Sequence, residues 1–199
     1  YFIQVSENYK LSLGLKGTAN LFQLDVNKLR VFDPTDPQFQ NMDTEFSPNV
    51  GAGLYLFSDK TYLGLSVPNF FESYRYNDNN IKITKEKMHF YFIAGHVFKI
   101  SNNIDFKPAL LSKIVEGAPL QADVTANFLF FEKLTLGAAY RWDSSVSALA
   151  GFQISDSWFI GYGYDLETTK LANYNSGSHE IFLRYELFNK SSVSAPRFF

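Results

Sequence analysis

The sequence predicts an all-β protein, an antiparallel transmembrane β-barrel built as a meander, and three observations support that prediction. Apolar and polar residues alternate with a period of two along successive segments. Aromatic residues make up 18% of the chain, although its mean hydropathy is only -0.14. Short turns and long connections follow one another between the segments. About ten strands are visible, and we expect them to belong to a larger barrel of about 14.

The alternation places alternate side chains on opposite faces of a sheet. It is clearest at residues 120–128, where Leu120, Ala122 and Val124 oppose Gln121 and Asp123. Residues 88–98 are apolar at both parities and are the least diagnostic. No stretch shows an apolar period of 3.6 residues, so no long helix is predicted. The predicted strands are 11–21, 49–56, 62–67, 88–98, 104–110, 120–128, 134–141, 145–154, 158–165 and 179–188.

The composition favours a barrel over other membrane or soluble classes. A helical membrane protein needs runs of roughly 20 apolar residues, and this chain has none. A soluble domain rarely needs 21 Phe and 12 Tyr in 199 residues. A membrane barrel explains both values, because lipid-facing apolar residues are averaged with lumen-facing polar ones and aromatic girdles mark the two interfaces.

Charge and cysteine content exclude several function classes. Eighteen Lys and Arg against 20 Asp and Glu give a net charge of -2, which argues against a nucleic-acid partner. The chain has no cysteine, so a disulfide framework, a thiolate metal site and a thiol nucleophile are excluded.

The connections distinguish the two ends of the predicted barrel. Tight turns join strands at 58–60, 101–103, 131–133 and 155–157, whereas long connections occupy 26–47, 69–87 and 166–178. Outer-membrane barrels have short periplasmic turns and longer extracellular loops, so the C-terminus is predicted to be periplasmic. The connections near Glu116 and Asp143 are short for outer loops. A soluble sandwich needs the same alternation, but it has no reason to keep this order of turns.

Charged and polar residues at one parity are predicted to face the lumen. In the functional interpretation, these residues line a lumen that binds a peptide or conducts solute. The simpler interpretation, which we favour, is that they pair and hydrate across the interior, because a charge facing lipid costs about 2–4 kcal/mol at mid-bilayer. The candidates are Asp105, Lys107, Asp123, Asn127, Arg141 and Asp165, together with Lys113.

No catalytic, metal or cofactor site is predicted. His179-Glu180 lacks a second histidine four residues later, and on a strand its residues point to opposite faces. The same reasoning separates Ser178 and Glu180 from His179. The glycines of the strands alternate with apolar residues and indicate curvature or close packing rather than a phosphate-binding loop. We therefore expect neither an enzyme nor a cofactor-binding protein.

Two long connections are candidate recognition surfaces. The first, residues 33–48, is acidic and rich in proline. The second begins after Ser66-Val67-Pro68-Asn69, where a proline no longer interrupts a ladder, and it carries Tyr74 and Tyr76. Long loops on a rigid scaffold commonly carry binding, although a solvated loop would have the same composition.

Several short motifs, taken in order, resemble the PorP/SprF family of outer-membrane proteins from Bacteroidota. They are Tyr62-Leu63-Gly64-Leu65-Ser66-Val67-Pro68-Asn69-Phe70-Phe71-Glu72, residues 89–98, Phe106-Lys107-Pro108-Ala109-Leu110-Leu111, Gly117-Ala118-Pro119-Leu120-Gln121-Ala122-Asp123, Leu136-Gly137-Ala138-Ala139-Tyr140-Arg141, Gly161-Tyr162-Gly163-Tyr164-Asp165 and Gly177-Ser178-His179-Glu180-Ile181. The motif residues are Gly64, Ser66, Pro68, Asn69, Pro108, Pro119, Asp123, Tyr140, Arg141, Tyr164, Asp165, Gly177, His179 and Glu180.

The resemblance also concerns the ends of the chain. Members normally carry an N-terminal region with a signal peptide and further strands, and nothing here corresponds to it. We expect one barrel domain over 1–199 with that region absent. Residues 189–199, ending in Phe199, would form a C-terminal segment with the aromatic ending usual in the family.

The resemblance implies a role in type IX secretion and, in gliding species, in motility. Such a protein would anchor or help export a surface adhesin through the adhesin's C-terminal signal domain. It would also link to a periplasmic peptidoglycan-binding lipoprotein and to other secretion components. The alternatives are an outer-membrane diffusion channel or hydrophobic-solute transporter and, third, a soluble ligand-binding β-barrel.

Overall fold

The computed structural model describes residues 2–22, 45–72, 74–78, 81–85 and 87–187. Most of the acidic loop and the C-terminal segment 189–199 lie outside the described residues, as do the side chains of Tyr74 and Tyr76. Within the described ranges a 3-10 turn spans Lys170–Asn173. The strands are β1 (Phe2–Gln4), β2 (Lys10–Phe22), β3 (Glu45–Phe57), β4 (Thr61–Val67), β5 (Tyr74–Asp78), β6 (Ile81–Lys85), β7 (His89–His96), β8 (Phe98–Ser101), β9 (Ile104–Val115), β10 (Gln121–Phe130), β11 (Leu134–Arg141), β12 (Ser145–Gln153), β13 (Trp158–Glu167) and β14 (Ser178–Tyr185).

Twelve of these strands form one antiparallel meander. Their order is β1-β2-β3-β4-β7-β9-β10-β11-β12-β13-β14, with β8 also paired to β9, and β5 and β6 form a separate hairpin. The predicted all-β antiparallel meander is confirmed, and each predicted strand has its counterpart in the sheet. Across the described residues the sheet is open, with β1 and β14 at its edges. No helix in the described part of the chain has the length and apolarity to cross a membrane.

Pro108 explains why the predicted strand 88–98 is divided into β7 and β8. The register places Gly95 opposite Ala109 and Phe98 opposite Phe106, so the gap in the ladder falls opposite Pro108. A proline has no N–H to donate to a neighbouring strand. On the opposite side the pairing with the chain before β4 continues, because the Val97 N–H donates to the Lys60 carbonyl at 2.8 Å, next to the Thr61–His96 pair.

The connections give the sheet a turn end and a loop end. At the turn end the strands are joined by residues 58–60, 102–103, 131–133 and 154–157. Phe131 and Glu132 there have φ of 53° and 56°, the pair of positive values that a type I′ hairpin turn requires. At the loop end, 116–120 and 142–144 are short, whereas 168–177 is longer and 68–88 contains the β5–β6 hairpin. The second long connection was predicted as a loop; it contains a hairpin.

The register defines two faces that continue across the whole sheet. Residues directly opposite one another share a face, and neighbours along a strand alternate. One row runs through Tyr62, Gly95, Ala109, Thr125 and Ala139. We call the face that carries this row the polar face and the other the apolar face.

Every Lys, Arg, Asp and Glu whose side chain is described on a strand of the sheet lies on the polar face. These residues are Lys10, Lys16, Lys99, Asp105, Lys107, Lys113, Asp123, Arg141, Asp165, Glu167, Glu180 and Arg184.

Exposure to solvent is inverted relative to a soluble protein. Among the described residues no apolar side chain is buried, and the buried polar residues are Asn49, Lys107, Asp123 and Ser145. On the apolar face Leu15 is 92% exposed and Ile181 is 79% exposed. Apolar surface of this extent marks a region that lipid or protein covers.

Aromatic rings gather near both ends of the apolar face. At the turn end the Phe106 and Phe128 rings lie 4.7 Å apart, and Trp158 and Tyr185 lie 4.5 Å apart. Near the loop end Tyr140 is exposed on the same face and the exposed Trp142 directly follows β11, whereas Tyr162 lies near the middle of β13. Two such belts bounding an apolar band are typical of strands that cross a bilayer.

Candidate functional site

The polar face carries the candidate site, and its best-ordered part is an ion pair between β10 and β11. Asp123 and Arg141 are directly opposite in the register. The Arg141 Nε donates to Asp123 Oδ1 at 2.6 Å, and Gln121 Nε2 donates to Asp123 Oδ2 at 3.3 Å. The Asp123 side chain is 12% exposed and that of Arg141 is 45% exposed. The carboxylate is therefore held by its neighbours while the guanidinium keeps contact with solvent.

Asp165 and Glu180 lie farther along the same face. Ser147 Oγ donates a hydrogen bond to Asp165 Oδ1 across β12 and β13. Glu180 lies opposite Gly163 and makes no hydrogen bond or ion pair with another described residue. One carboxylate is thus fixed and the other is free to meet a ligand.

A groove of about 480 Å³ runs between these carboxylates and Arg141. Its floor includes the small residues Gly137 and Ala139 of β11 and Gly163 of β13, with Leu149 of β12 between the two glycines. Thr125 and Asn127 border the groove on β10, and Ser147 and Ser178 border it farther along the sheet. The groove is lined by uncharged hydrogen-bonding groups and by side chains of positive and negative charge, so it suits a polar or charged ligand.

Asn127 and Lys107 form the next register pair below this groove. They lie directly opposite each other on β10 and β9. Asn127 Nδ2 donates to Thr125 Oγ1 at 3.5 Å, and a Cβ on Gly137 would overlap the Asn127 side-chain oxygen. The glycine therefore provides the room in which the amide lies.

Asp105 and Lys113 lie at the two ends of β9. Asp105 is opposite Leu129 and Lys99, whereas Lys113 is opposite Gln121 and Tyr91. All the predicted polar candidates share the polar face; Asp123 and Arg141 are bonded together, and Asp105 and Asp165 are far apart along the sheet.

The chain that follows β4 folds back onto the polar face at the loop end. Asn49 Oδ1 accepts the Phe71 N–H at 3.0 Å, and Asn49 Nδ2 donates to the Phe71 carbonyl at 2.7 Å. Lys16 Nζ donates to Asn69 Oδ1 at 3.4 Å. A Cβ on Gly51 would collide with the Pro68 carbonyl. Segment 68–72 therefore lies over β2 and β3.

Asn49, which is 3% exposed and forms the centre of this contact, was not predicted from the sequence. Its partner Phe71 is 22 residues away, so no local spacing could reveal the pair. The nearest signal was the motif Pro68-Asn69, which marks the segment that Asn49 holds. Ser147, the donor to Asp165, was also missed because a serine in an alternating strand carries no special signal.

The other family-motif residues have structural positions. Gly64 lies opposite Tyr55 and Ile93, where a Cβ would contact the Ile93 side chain at 2.8 Å. Ser66 is opposite Tyr91 on the polar face. Pro119 is exposed in the connection before β10. Gly177 has a φ of 85°, in the left-handed region that favours glycine, directly before β14.

Tyr140, Tyr164 and His179 lie on the apolar face, near the loop end. His179 Nδ1 and the Tyr162 hydroxyl are 2.6 Å apart, and the Tyr164 hydroxyl donates to the Ser176 carbonyl at 2.8 Å. The neighbours Ser178 and Glu180 point to the polar face, so these three adjacent residues are divided between the faces. Within the described ranges no group of three or more metal-ligating side chains comes together.

The comparison with known protein families identifies the family of this chain. The profile described as "Type IX secretion system membrane protein PorP/SprF" matches residues 1–185. The chain belongs to the PorP/SprF family. The family resemblance read from the motifs is therefore confirmed. PorP/SprF proteins are β-barrel membrane components of secretion machinery, not a family of enzymes. No curated protein matches the sequence.

Membership in PorP/SprF indicates what each of the two faces contacts. In a membrane β-barrel the exposed apolar band contacts lipid and the other face lines the interior. A soluble ligand-binding barrel, the third alternative, would bury its apolar side chains, and the described sheet does the opposite.

Proposed function

We propose that this protein is an integral outer-membrane barrel that anchors a secreted surface adhesin or helps to export it through the adhesin's C-terminal signal domain. On its periplasmic side, where we place the C-terminus, it links to a peptidoglycan-binding lipoprotein. The action is protein recognition and tethering, with no bond chemistry. The observation that carries the proposal is the family match over residues 1–185, because it makes the chain a membrane component of type IX secretion.

The faces of the sheet support this proposal physically. The apolar face, with Leu15 and Ile181 at its most exposed positions, supplies the contact with outer-membrane lipid. The polar face supplies hydrogen-bonding and charged groups for a polypeptide, with Asp105, Lys107, Asp123, Asn127, Arg141 and Asp165 facing the lumen. Segment 68–72 brings the second long connection to the loop end of this face.

The test is co-purification from native outer membranes. The tagged protein should retain a secreted protein with an adhesin-type C-terminal domain, a periplasmic lipoprotein, or both, and mass spectrometry identifies them. An unrelated tagged outer-membrane barrel from the same cells is the control. If neither class of protein stays attached above the control, the anchoring proposal is refuted.

The second candidate function is a diffusion channel or hydrophobic-solute transporter. The groove of about 480 Å³ on the polar face favours it, because polar side chains border an open space there. Planar-bilayer recording separates the two functions. Stable ion conductance by the purified protein supports the channel, whereas a silent bilayer together with co-purified partners supports anchoring.

A further inference from the structure

We propose that the polar face is divided into a basic half and an acidic half, and that it binds an extended polypeptide segment with acidic side chains on one side and basic side chains on the other. This inference rests on the proposed function as a protein-recognising barrel, and it names the chemistry of the segment that is recognised.

The basic half comprises β2 to β9. Its described charged strand residues are five lysines and one aspartate, namely Lys10, Lys16, Lys99, Lys107, Lys113 and Asp105. Lys16 and Lys113 lie toward the loop end, opposite Gly51 and Gln121 respectively. Lys113 forms no hydrogen bond or ion pair with another described residue. This half therefore presents an excess of positive charge to whatever occupies the interior.

The acidic half comprises β10 to β14. It carries four carboxylates and two arginines, namely Asp123, Asp165, Glu167, Glu180, Arg141 and Arg184. Arg141 is bonded to Asp123, and Arg184 pairs with Glu186 at 3.1 Å near the turn end. Both ion pairs lie within this half, so neither bridges to the lysines. Toward the loop end the carboxylates are in excess.

The acidic half also has room for a long side chain. The groove above Gly137, Ala139 and Gly163 opens between Asp165 and Glu180. A Cβ on Gly163 would meet nothing closer than the Glu180 Cβ at 3.9 Å, so the space above this glycine is free. The aliphatic part of a lysine or arginine can lie along this floor while its charged end reaches the carboxylates.

Charge complementarity then selects the occupant. Successive side chains of an extended chain point in opposite directions, so a segment of alternating acidic and basic residues presents all its acids to one side. Such a segment meets the lysines with its acids and the carboxylates with its bases. A segment of one sign is attracted by one half and repelled by the other. Walls of low dielectric constant strengthen the difference.

The probe is a fluorescent peptide of alternating Glu and Lys, compared with a peptide of equal composition in which all Glu precede all Lys. Binding to the purified protein in lipid nanodiscs is measured by anisotropy, and we expect the alternating peptide to bind about tenfold more tightly at low salt. The preference should decline as salt rises, because exposed charges are screened.

Charge inversion makes the test specific. The variant Asp165→Lys/Glu180→Lys should lose the preference, and Lys16→Glu/Lys113→Glu should lose it too. The variant with all four changes exchanges the signs of the charges toward the loop end of the two halves and should regain the preference to within about threefold, since the alternating peptide can turn over. A purely structural role would make the fourfold variant worse than either double variant.

A steric variant gives a second measurement that leaves every charge in place. Gly163→Leu fills the groove and should weaken the alternating peptide about tenfold. Gly17→Leu on the apolar face, where nothing lies within 4 Å of a Cβ, is the matched control and should leave binding unchanged. Heat-modifiable migration on gels reports the folding of each variant.

Equal binding of the two peptides, or a fourfold variant that does not recover, overturns the divided-face proposal. These outcomes are distinct from failure of the proposed function. If the peptide preference holds but no adhesin or lipoprotein co-purifies, the anchoring proposal fails and the divided face stands. If partners co-purify without any preference, the reverse is true.

Discussion

At the scale of single residues, the Asp123–Arg141 pair shows how this sheet treats charge. Asp123 is one of the buried polar residues in the described part of the chain and receives hydrogen bonds from Arg141 and Gln121. A buried carboxylate that loses its partners bears the full cost of its desolvation. The more exposed Arg141 therefore compensates the charge of the more buried Asp123. The loss of stability should differ between a change of Arg141 and a change of Asp123.

We predict that Arg141→Gln lowers the free energy of unfolding by about 1–2 kcal/mol, because it leaves Asp123 without its charged donor. The double variant Asp123→Asn/Arg141→Gln should recover part of that loss, since the amide needs no counter-charge. The matched control is Arg184→Gln, whose partner Glu186 is itself half-exposed, with an expected effect of about 0–1 kcal/mol. Urea titration in lipid vesicles measures all three, and equal losses for both arginines would contradict the prediction.

The alternation in the sequence predicted which residues share a face of the sheet, but it did not predict which of them form hydrogen bonds. The period of two placed Asp123, Asn127 and Arg141 together because strand geometry is regular. It did not reveal that Ser147 donates to Asp165 or that Asn49 holds Phe71. Those contacts depend on register and on a chain reversal, and residues distant in sequence carry no local pattern of their approach.

At the scale of elements, segment 68–72 and the glycine beneath it form a unit. Pro68 ends β4, and its carbonyl lies where a Cβ on Gly51 would be. Asn49, two residues away on the same face, bonds both backbone groups of Phe71. The glycine therefore permits the close approach, and the asparagine fixes it.

We predict that Gly51→Ala pushes segment 68–72 off the polar face, because the clash is with backbone that has no rotamer to change. Limited proteolysis of the folded protein should then cut near residues 68–72 at least about tenfold faster, since a displaced loop opens more readily. Gly17→Ala, with open space around its Cβ, is the control and should leave the rate unchanged. An unchanged rate for Gly51→Ala would show that the segment is not held there.

Element boundaries were predictable where the alternation was sustained. The hairpin of β5 and β6 was missed, although the turn-forming run Asn77-Asp78-Asn79-Asn80 lies between two alternating stretches. β1 has only three residues, which are too few to show an alternating pattern in the sequence. The break between β7 and β8 follows from Pro108 on the neighbouring strand, so it became visible only with the pairing.

At the scale of the whole molecule, the central feature is a sheet with many exposed large side chains on its apolar face and with its described strand charges on the other face. In a soluble protein the apolar face would be buried. Here the described charged strand residues share one face, and the aromatic belts border the other. The sequence predicted this inversion because it depends only on composition and parity; the closure of the wall does not follow from either.

The most direct test compares arginine at two adjacent alanines in the middle of β11. Ala138 is the more exposed and lies on the apolar face, whereas Ala139 is less exposed and borders the polar groove. Measured as unfolding free energy in lipid vesicles, Ala138→Arg should cost about 2–4 kcal/mol, the price of a lipid-facing charge, and Ala139→Arg should cost under about 1 kcal/mol. If the less exposed Ala139 proves the costlier position, the apolar face does not meet lipid and the barrel account is contradicted.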